Sequence, residues 1–138
     1  MTKTPKLYFC DTGLLCFLLN VRSADELERS PLRGAIFETA VYGELRRQLA
    51  LGQELESLYF FRDRSREVDF LIHRGGRFHL LECKWTELPS AADVAPMADV
   101  AAQLGPDRIA GKTLVCRTGR PFPIGREARA TNLEHLDG

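Results

Sequence analysis

Long apolar runs are missing from this chain of 138 residues. The longest, Leu14 to Leu19, falls far short of the ~20 residues a membrane-spanning helix needs. No charged region and cleavage site frame it as a secretion signal. Net charge is missing too: 19 Lys and Arg balance 19 Asp and Glu, so no global field draws the chain to nucleic acid or a membrane surface. Cysteine is sparse. Cys10, Cys16, Cys83 and Cys116 form no C-x-x-C pair and sit within apolar runs, which points to buried, reduced thiols and away from zinc or disulfides. Lysine is scarce, since 15 of the 19 basic residues are Arg. Arg is the better fork for phosphate, although a genome rich in G and C raises Arg equally. The expectation is a soluble, cytoplasmic domain.

What is present suffices for one core. Hydrophobic residues make up 44% and charged ones 28%, a balance that disfavours disorder. A chain of this length buries roughly two-thirds of its unfolded surface. Residues 5–9 (PKLYF) read as a short strand, and Asp11 or Thr12 as the cap of a short apolar helix through Leu19. Residues 20–30 read as polar turn. A long helix follows, punctuated by Ser30 as N-cap, Pro31 at its first position and Gly52 just past its end. Three β-type runs come next, at Ser57–Phe61, Val68–Ile72 and Phe78–Lys84. An Ala-rich helix over about Asp93–Leu104 ends at Gly105-Pro106, and Lys112–Arg117 is a fourth strand. The tail from 119 to 138 has no period and reads as loosely ordered. A helix-bearing connection between the third and fourth strands suits a crossover to a parallel neighbour. The fold expected is α/β, a mixed central sheet flanked by helices. Its core covers about 31–118, with 1–30 as an N-terminal extension.

Two placements of charge break the pattern. On the long helix, Ile36, Phe37, Ala40, Val41, Leu45 and Leu49 form an apolar arc at 100° per residue. Glu44 falls near the middle of that arc, and Glu38 falls between Leu45 and Leu49. A carboxylate on a core-facing stripe must be paired, protonated or bound to metal; a buried bridge to an Arg is the plain alternative for each. The second break is in the strands. Gly75-Gly76 sits where a two-residue hairpin turn belongs. In that register Arg74 faces Arg77, Leu71 faces Leu80, Phe70 faces Leu81, Asp69 faces Glu82 and Glu67 faces Lys84. Glu82 and Lys84 then share a face, about 7 Å apart. Opposed carboxylates with Cβ atoms ~5 Å apart repel unless a cation lies between them. A divalent ion with oxygen ligands, such as magnesium, is the simplest one; Lys84 or an Arg is the alternative.

Taken together, Glu38, Asp69 and the triplet Glu82-Cys83-Lys84 resemble the PD-(D/E)XK nuclease superfamily. That superfamily is named for an acidic residue followed by a (D/E)-x-K triplet on a restriction-endonuclease-like αβββαβ core, the element order read above. Gly34-Ala-Ile-Phe-Glu38 also resembles the G-x-x-x-E of archaeal Holliday-junction resolvases, while Val68-Asp69 stands where Pro-Asp would be. Four stretches resemble a domain that follows the ATPase module in a family of prokaryotic AAA-type ATPases. They are PKLYFCDTGL (5–14), RGAIFETAVYGEL (33–45), YFFRDRSREVDFLI (59–72) and LLECK (80–84). The resemblance covers roughly residues 5–118 and implies an AAA-type ATPase partner in cis or trans. The chain has no phosphate loop of its own. Gly105 to Thr113 comes nearest, with five residues between its glycines instead of four and a β-run where a helix should open. The chain is therefore expected to be the C-terminal part of a longer ATPase chain, or a stand-alone relative.

The nuclease resemblance implies a hydrolase that cuts phosphodiester bonds, in DNA ahead of RNA. Asp69, Glu82 and the Cys83 carbonyl would bind magnesium or manganese, with Glu38 joining directly or through water. Lys84 would position the attacking water or stabilise the transition state. Arg62, Arg64, Arg66, Arg74 and Arg77 would hold backbone phosphates, or else form a solvated edge. The rival reading is a non-catalytic module that binds nucleic acid or protein and regulates the ATPase; zero net charge favours it. A plain oligomerisation domain, including a homo-oligomer, would explain neither the buried carboxylates nor the opposed pair. His73, His79 and His135 join no ligand constellation, and Trp85 reads as core or rim packing.

Overall fold

A computed structural model describes residues 5–137. Residues 5–9 run extended without joining a sheet, so the strand expected there is absent. Helix α1 (Thr12–Leu18) begins where Asp11 caps it, the carboxylate accepting the Leu14 N–H at 2.9 Å. The stretch read as turn instead holds a second helix, α2 (Ala24–Arg29). Ser23 caps it and Asp25 and Glu26 fill its first turn, an N-terminal signature that outweighs the polarity of the segment. The long helix α3 spans Arg33–Leu51 with Leu32 as N-cap and Gly52 as C-cap. Ser30 does cap the entry, its Oγ accepting the Leu32 N–H at 3.1 Å, but the helix opens just after that turn. Among the described residues no helix is long and apolar enough to cross a membrane.

Six strands follow. They are β1 (Leu58–Asp63), β2 (Arg66–Arg74), β3 (Arg77–Cys83), β4 (Ile109–Val115), β5 (Phe122–Ile124) and β6 (Ala128–Thr131), with α4 (Ala91–Leu104) between β3 and β4. The sheet order is β1-β2-β3-β4-β6-β5. β1, β2 and β3 are antiparallel neighbours, β4 runs parallel to both β3 and β6, and β5 closes the edge antiparallel to β6. The order α3-β1-β2-β3-α4-β4 and the parallel β3–β4 crossover match the sequence-based expectation. The tail does not, since it adds two strands. Each is too short to show periodicity alone, and both are defined by tertiary pairing. Pro123 sits on the edge strand β5, where a missing donor is tolerated. Lys112 and Thr113 lie within β4, which removes any phosphate-loop geometry.

The two sheet faces are covered separately. Phe37, Val41, Leu45 and Leu49 of α3 pack on Phe70, Ile72, Leu81 and Val115. Met97, Val100 and Ala101 of α4 pack on Val68, Leu71, Leu80, Leu114 and Ala130. Val68 and Leu71 thus share a side although they are three apart. The cause is a bulge: Tyr59 pairs with Leu71 and Phe61 with Val68, leaving one extra residue in β2. Bulges re-aim side chains, and this one falls at Asp69-Phe70. All four cysteines are free. Cys116 is buried as expected, but Cys16 and Cys83 are only partly buried, Cys16 on a helix that buries none of its residues, and Cys10, ahead of that helix, is exposed.

Since β6 covers the β4 edge and carries Ala130, which is 0% exposed, the tail should be part of the cooperative unit. A chain ending at residue 118 is expected to lose its sigmoidal urea transition by circular dichroism. An unchanged transition midpoint would contradict this placement.

Candidate functional site

The β2–β3 hairpin carries the site. Gly75 and Gly76 adopt φ of 55° and 77°, the left-handed pair that a tight hairpin turn requires. Pairing then runs from Arg74–Arg77 to Phe70–Leu81, the register read from the sequence. The ladder stops there. At the next position, Asp69 and Glu82, side chains replace backbone partners. The Cys83 N–H donates to Asp69 Oδ2 at 2.8 Å, and the Asp69 N–H points to Glu82 Oε2 at 3.4 Å. The two carboxylates are held by each other's strands.

This arrangement makes both acids weak. Burial pushes the Asp69 carboxyl up to about 6, and the nearby Glu38 charge adds to the shift. Burial likewise pushes Glu82 up to about 8, aided by Asp69. Burial also raises the Cys83 thiol, so it stays protonated. Perturbed carboxyls of this kind cluster at functional sites.

Helix α3 adds Glu38, and the sequence question between Glu38 and Glu44 has a structural answer. Glu44 bonds Arg47 and Gln48 along its own helix, while Glu38 points at the hairpin. There it meets a residue that the sequence reading passed over. Lys6 Nζ lies 2.8 Å from Glu38 Oε1, 3.2 Å from Glu67 Oε1 and 3.9 Å from Asp69 Oδ1. Tyr8 Oη donates to the same Glu38 oxygen. Lys6 and Tyr8 both reach Glu38 from a segment without regular structure, so no local pattern in the sequence signalled them.

Lys84 is not brought to this cluster. Its ammonium lies 3.8 Å from Asp93 Oδ1 of α4, and the side chain is 57% exposed. β3 ends at Cys83, and beyond it the Thr86 N–H folds back to the Lys84 carbonyl at 2.9 Å. Strand alternation therefore does not carry Lys84 to the Glu82 side. The arginines are largely engaged within the molecule. Arg62 pairs with Glu67 at 3.1 Å, Arg74 with Glu54, Arg66 with Gln103 and Arg77 with the Ile109 carbonyl. Arg64 occupies the β1–β2 turn with φ of 54°. Trp85 packs edge-on against Phe37 at 5.7 Å, with Arg117 over its face at 4.2 Å.

A cleft of about 490 Å³ opens beside Asp69, between the N-terminal segment, α3 and β1–β2. Lys6, Tyr8, Tyr42, Tyr59, Phe60, Phe70 and Arg46 are among its lining residues. This aromatic wall with basic residues was not visible in the sequence, because three separate elements build it. As a cation site, Asp69 and Glu82 offer two oxygen donors of the type that magnesium or manganese prefers. Glu38, expected as a further ligand, does not complete such a set: among the described residues, no group of three His, Cys, Asp or Glu is arranged to hold a metal ion, so a third protein ligand would have to be a backbone carbonyl such as that of Cys83.

Comparison with known proteins places residues 33–136 in the domain of unknown function DUF4143. The uncharacterized proteins Mb2031c of Mycobacterium bovis and Rv2008c of Mycobacterium tuberculosis are each 36% identical over 103 residues, covering 74% of this chain. The chain spans 22% of the length of each of these relatives. Among solved structures, a chain in an assembly of Thermococcus gammatolerans McrB AAA+ hexamers with bound McrC aligns at 16% identity and a TM-score of 0.47. The alignment covers 76% of this chain and 30% of that one.

The acid pair sets a pH dependence. Carboxyls raised in the folded state stabilise it fully at pH values below their unfolded pKa of ~4. That stability is lost as pH rises through their folded values of about 6 and 8. Burial lowers His79, which acts in the opposite sense, so the variant isolates the effect. In EDTA, wild-type Tm should fall between pH 5.5 and 8.5 relative to Glu82→Gln. Parallel curves for the two proteins would contradict it.

Proposed function

The chain belongs to the DUF4143 family, and from that premise we propose that it is a metal-dependent nuclease domain acting on phosphodiester bonds of DNA or RNA. One observation carries the reading: a buried carboxylate, Asp69, and a half-buried one, Glu82, oppose each other at the open end of a hairpin, beside Glu38 and a cleft. A purely structural hairpin gains nothing from such a pair, which costs desolvation and repulsion together. Together with the PD-(D/E)XK-like motif and element order, it supports a restriction-endonuclease-like core.

In this reading Asp69, Glu82 and the Cys83 carbonyl hold magnesium or manganese. When bound, the ion supplies a water of lowered pKa and polarises a phosphoryl oxygen. The chain's own groups do the rest. The Cys83 N–H orients Asp69, and the Asp69 N–H fixes Glu82, so both carboxylates are set before any ion arrives. Glu38 is anchored by Lys6 and Tyr8 and faces the same space. The aromatic cleft gives a nucleobase a stacking surface, and Arg46 on its lining offers a contact to phosphate.

The domain would work beside an AAA-type ATPase. The four motif stretches support that, as does the large share of each mycobacterial relative lying outside the matched part. A second reading, a binding module that regulates such an ATPase, rests on a specific observation. Arg62, Arg74 and Arg77 are engaged internally, and Lys84 is turned to Asp93.

Cleavage assays with magnesium and manganese on duplex, single-stranded and branched substrates separate the two. Wild type is expected to cut at least one, and Asp69→Ala to lose cleavage by on the order of 10³-fold or more. No cleavage with any divalent ion, with or without ATPase and ATP, would leave the regulatory reading.

A further inference from the structure

Four carboxylates crowd one end of the hairpin, and their charges are not balanced alike. Lys6 reaches Glu38 and Glu67 at 2.8 and 3.2 Å and Asp69 at 3.9 Å. The ammonium lies closest to Glu38 and Glu67, reaches Asp69 at the edge of ion-pair distance, and leaves Glu82 without an ion pair among the described residues. It is also well held. The side chain is 15% exposed, lies near the rings of Tyr8 and Phe60 at 5.7 and 5.6 Å, and lines the cleft. Burial works to lower its pKa, but Glu38 and Tyr8 outweigh this and raise it, so Lys6 stays charged throughout the neutral range. The lysine that the sequence motif nominates, Lys84, stands at Asp93 on the far helix, more than half exposed.

We propose that Lys6, delivered by the N-terminal segment, is the cationic side chain of this site: it contacts the phosphate of a substrate bound at Asp69. The inference rests on the nuclease reading and deepens it. A phosphate brought to Asp69 meets an ammonium already held within 4 Å of that carboxylate. As the phosphorus gains a bond to the attacking water oxygen, which gives its proton to solvent, and loses its bond to the leaving oxygen, which takes a proton from solvent, negative charge builds on the non-bridging oxygens in the transition state. Lys6 stabilises that charge and neither gives nor takes a proton. Preorganised charge of this sort is worth far more in a water-poor cleft than in solvent.

The test uses Lys6→Met, which keeps most of the stem and removes the charge, with Lys6→Arg and Lys84→Met beside it. Lys6→Met is expected to lower kcat by on the order of 10²–10³-fold while substrate affinity changes little, and Lys6→Arg to recover part of the loss. A second readout needs no catalysis. If Lys6 balances the cluster, its loss should enlarge the Tm increase produced by magnesium, whereas a side chain that only packs the segment would leave that increment equal to wild type. Equal increments and retained cleavage in Lys6→Met, with cleavage lost in Lys84→Met, would overturn the inference and leave the nuclease reading standing. A wild type that cuts nothing would end both.

Discussion

Two carboxylates that cannot both be charged at close quarters without a counter-cation set the terms for the rest of this molecule. Asp69 and Glu82 sit where the β2–β3 ladder stops, Asp69 bonded to the Cys83 N–H and Glu82 to the Asp69 N–H, with Lys6 reaching only Asp69 of the two, at 3.9 Å. Burial raises both pKa values, with the Glu38 charge adding to it at Asp69 and the Asp69 charge at Glu82, so ionising the pair calls for positive charge. Evolution could remove that demand with a single hydrophobic substitution at either position. The cost of holding two acids together in a hairpin this well packed is the physical case for a site.

The scaffold explains how the pair is held in place. Leu80 and Leu81 are buried on opposite faces, one under α4 and the other under α3, so a shift of β3 by one residue would expose one core and bury charge in the other. The bulge at Asp69-Phe70 then turns Asp69 toward the α3 side, where Glu38 arrives from the helix and Lys6 from the N-terminal segment. The charges are met unevenly: Lys6 pairs with Glu38, Glu67 and, at 3.9 Å, Asp69, and among the described residues Glu82 has no ion pair. Rigid elements supply the carboxylates, and an extended strap supplies the lysine.

Much of this was legible in the sequence, and the misses have physical reasons. Two consecutive glycines with positive φ gave the hairpin its register, and the 3.6-residue period gave α3 its buried face. Glu38 and Glu44 could not be separated by periodicity, because a long side chain at the edge of an arc can turn either way; Arg47 and Gln48 decided it for Glu44. Alternation placed Lys84 with Glu82, but it holds only within a strand, and β3 ends one residue earlier. The β5 and β6 strands carry no period of their own; β6 exists through pairing with β4, and β5 through pairing with β6. Lys6 belongs to a segment with no regular structure, so its place in the cluster is a tertiary fact that no local pattern encodes.

The central claim is that the Asp69–Glu82 pair takes up a divalent cation, and calorimetric titration tests it most directly. Carboxyls that are protonated in the free protein must release protons when an ion binds. Titrating manganese into wild type at pH 7 in two buffers of different ionisation enthalpy should give one binding event with measurable proton release, absent in Glu82→Gln. Heats that show no binding, or binding with no proton release and no dependence on Glu82, would contradict the account.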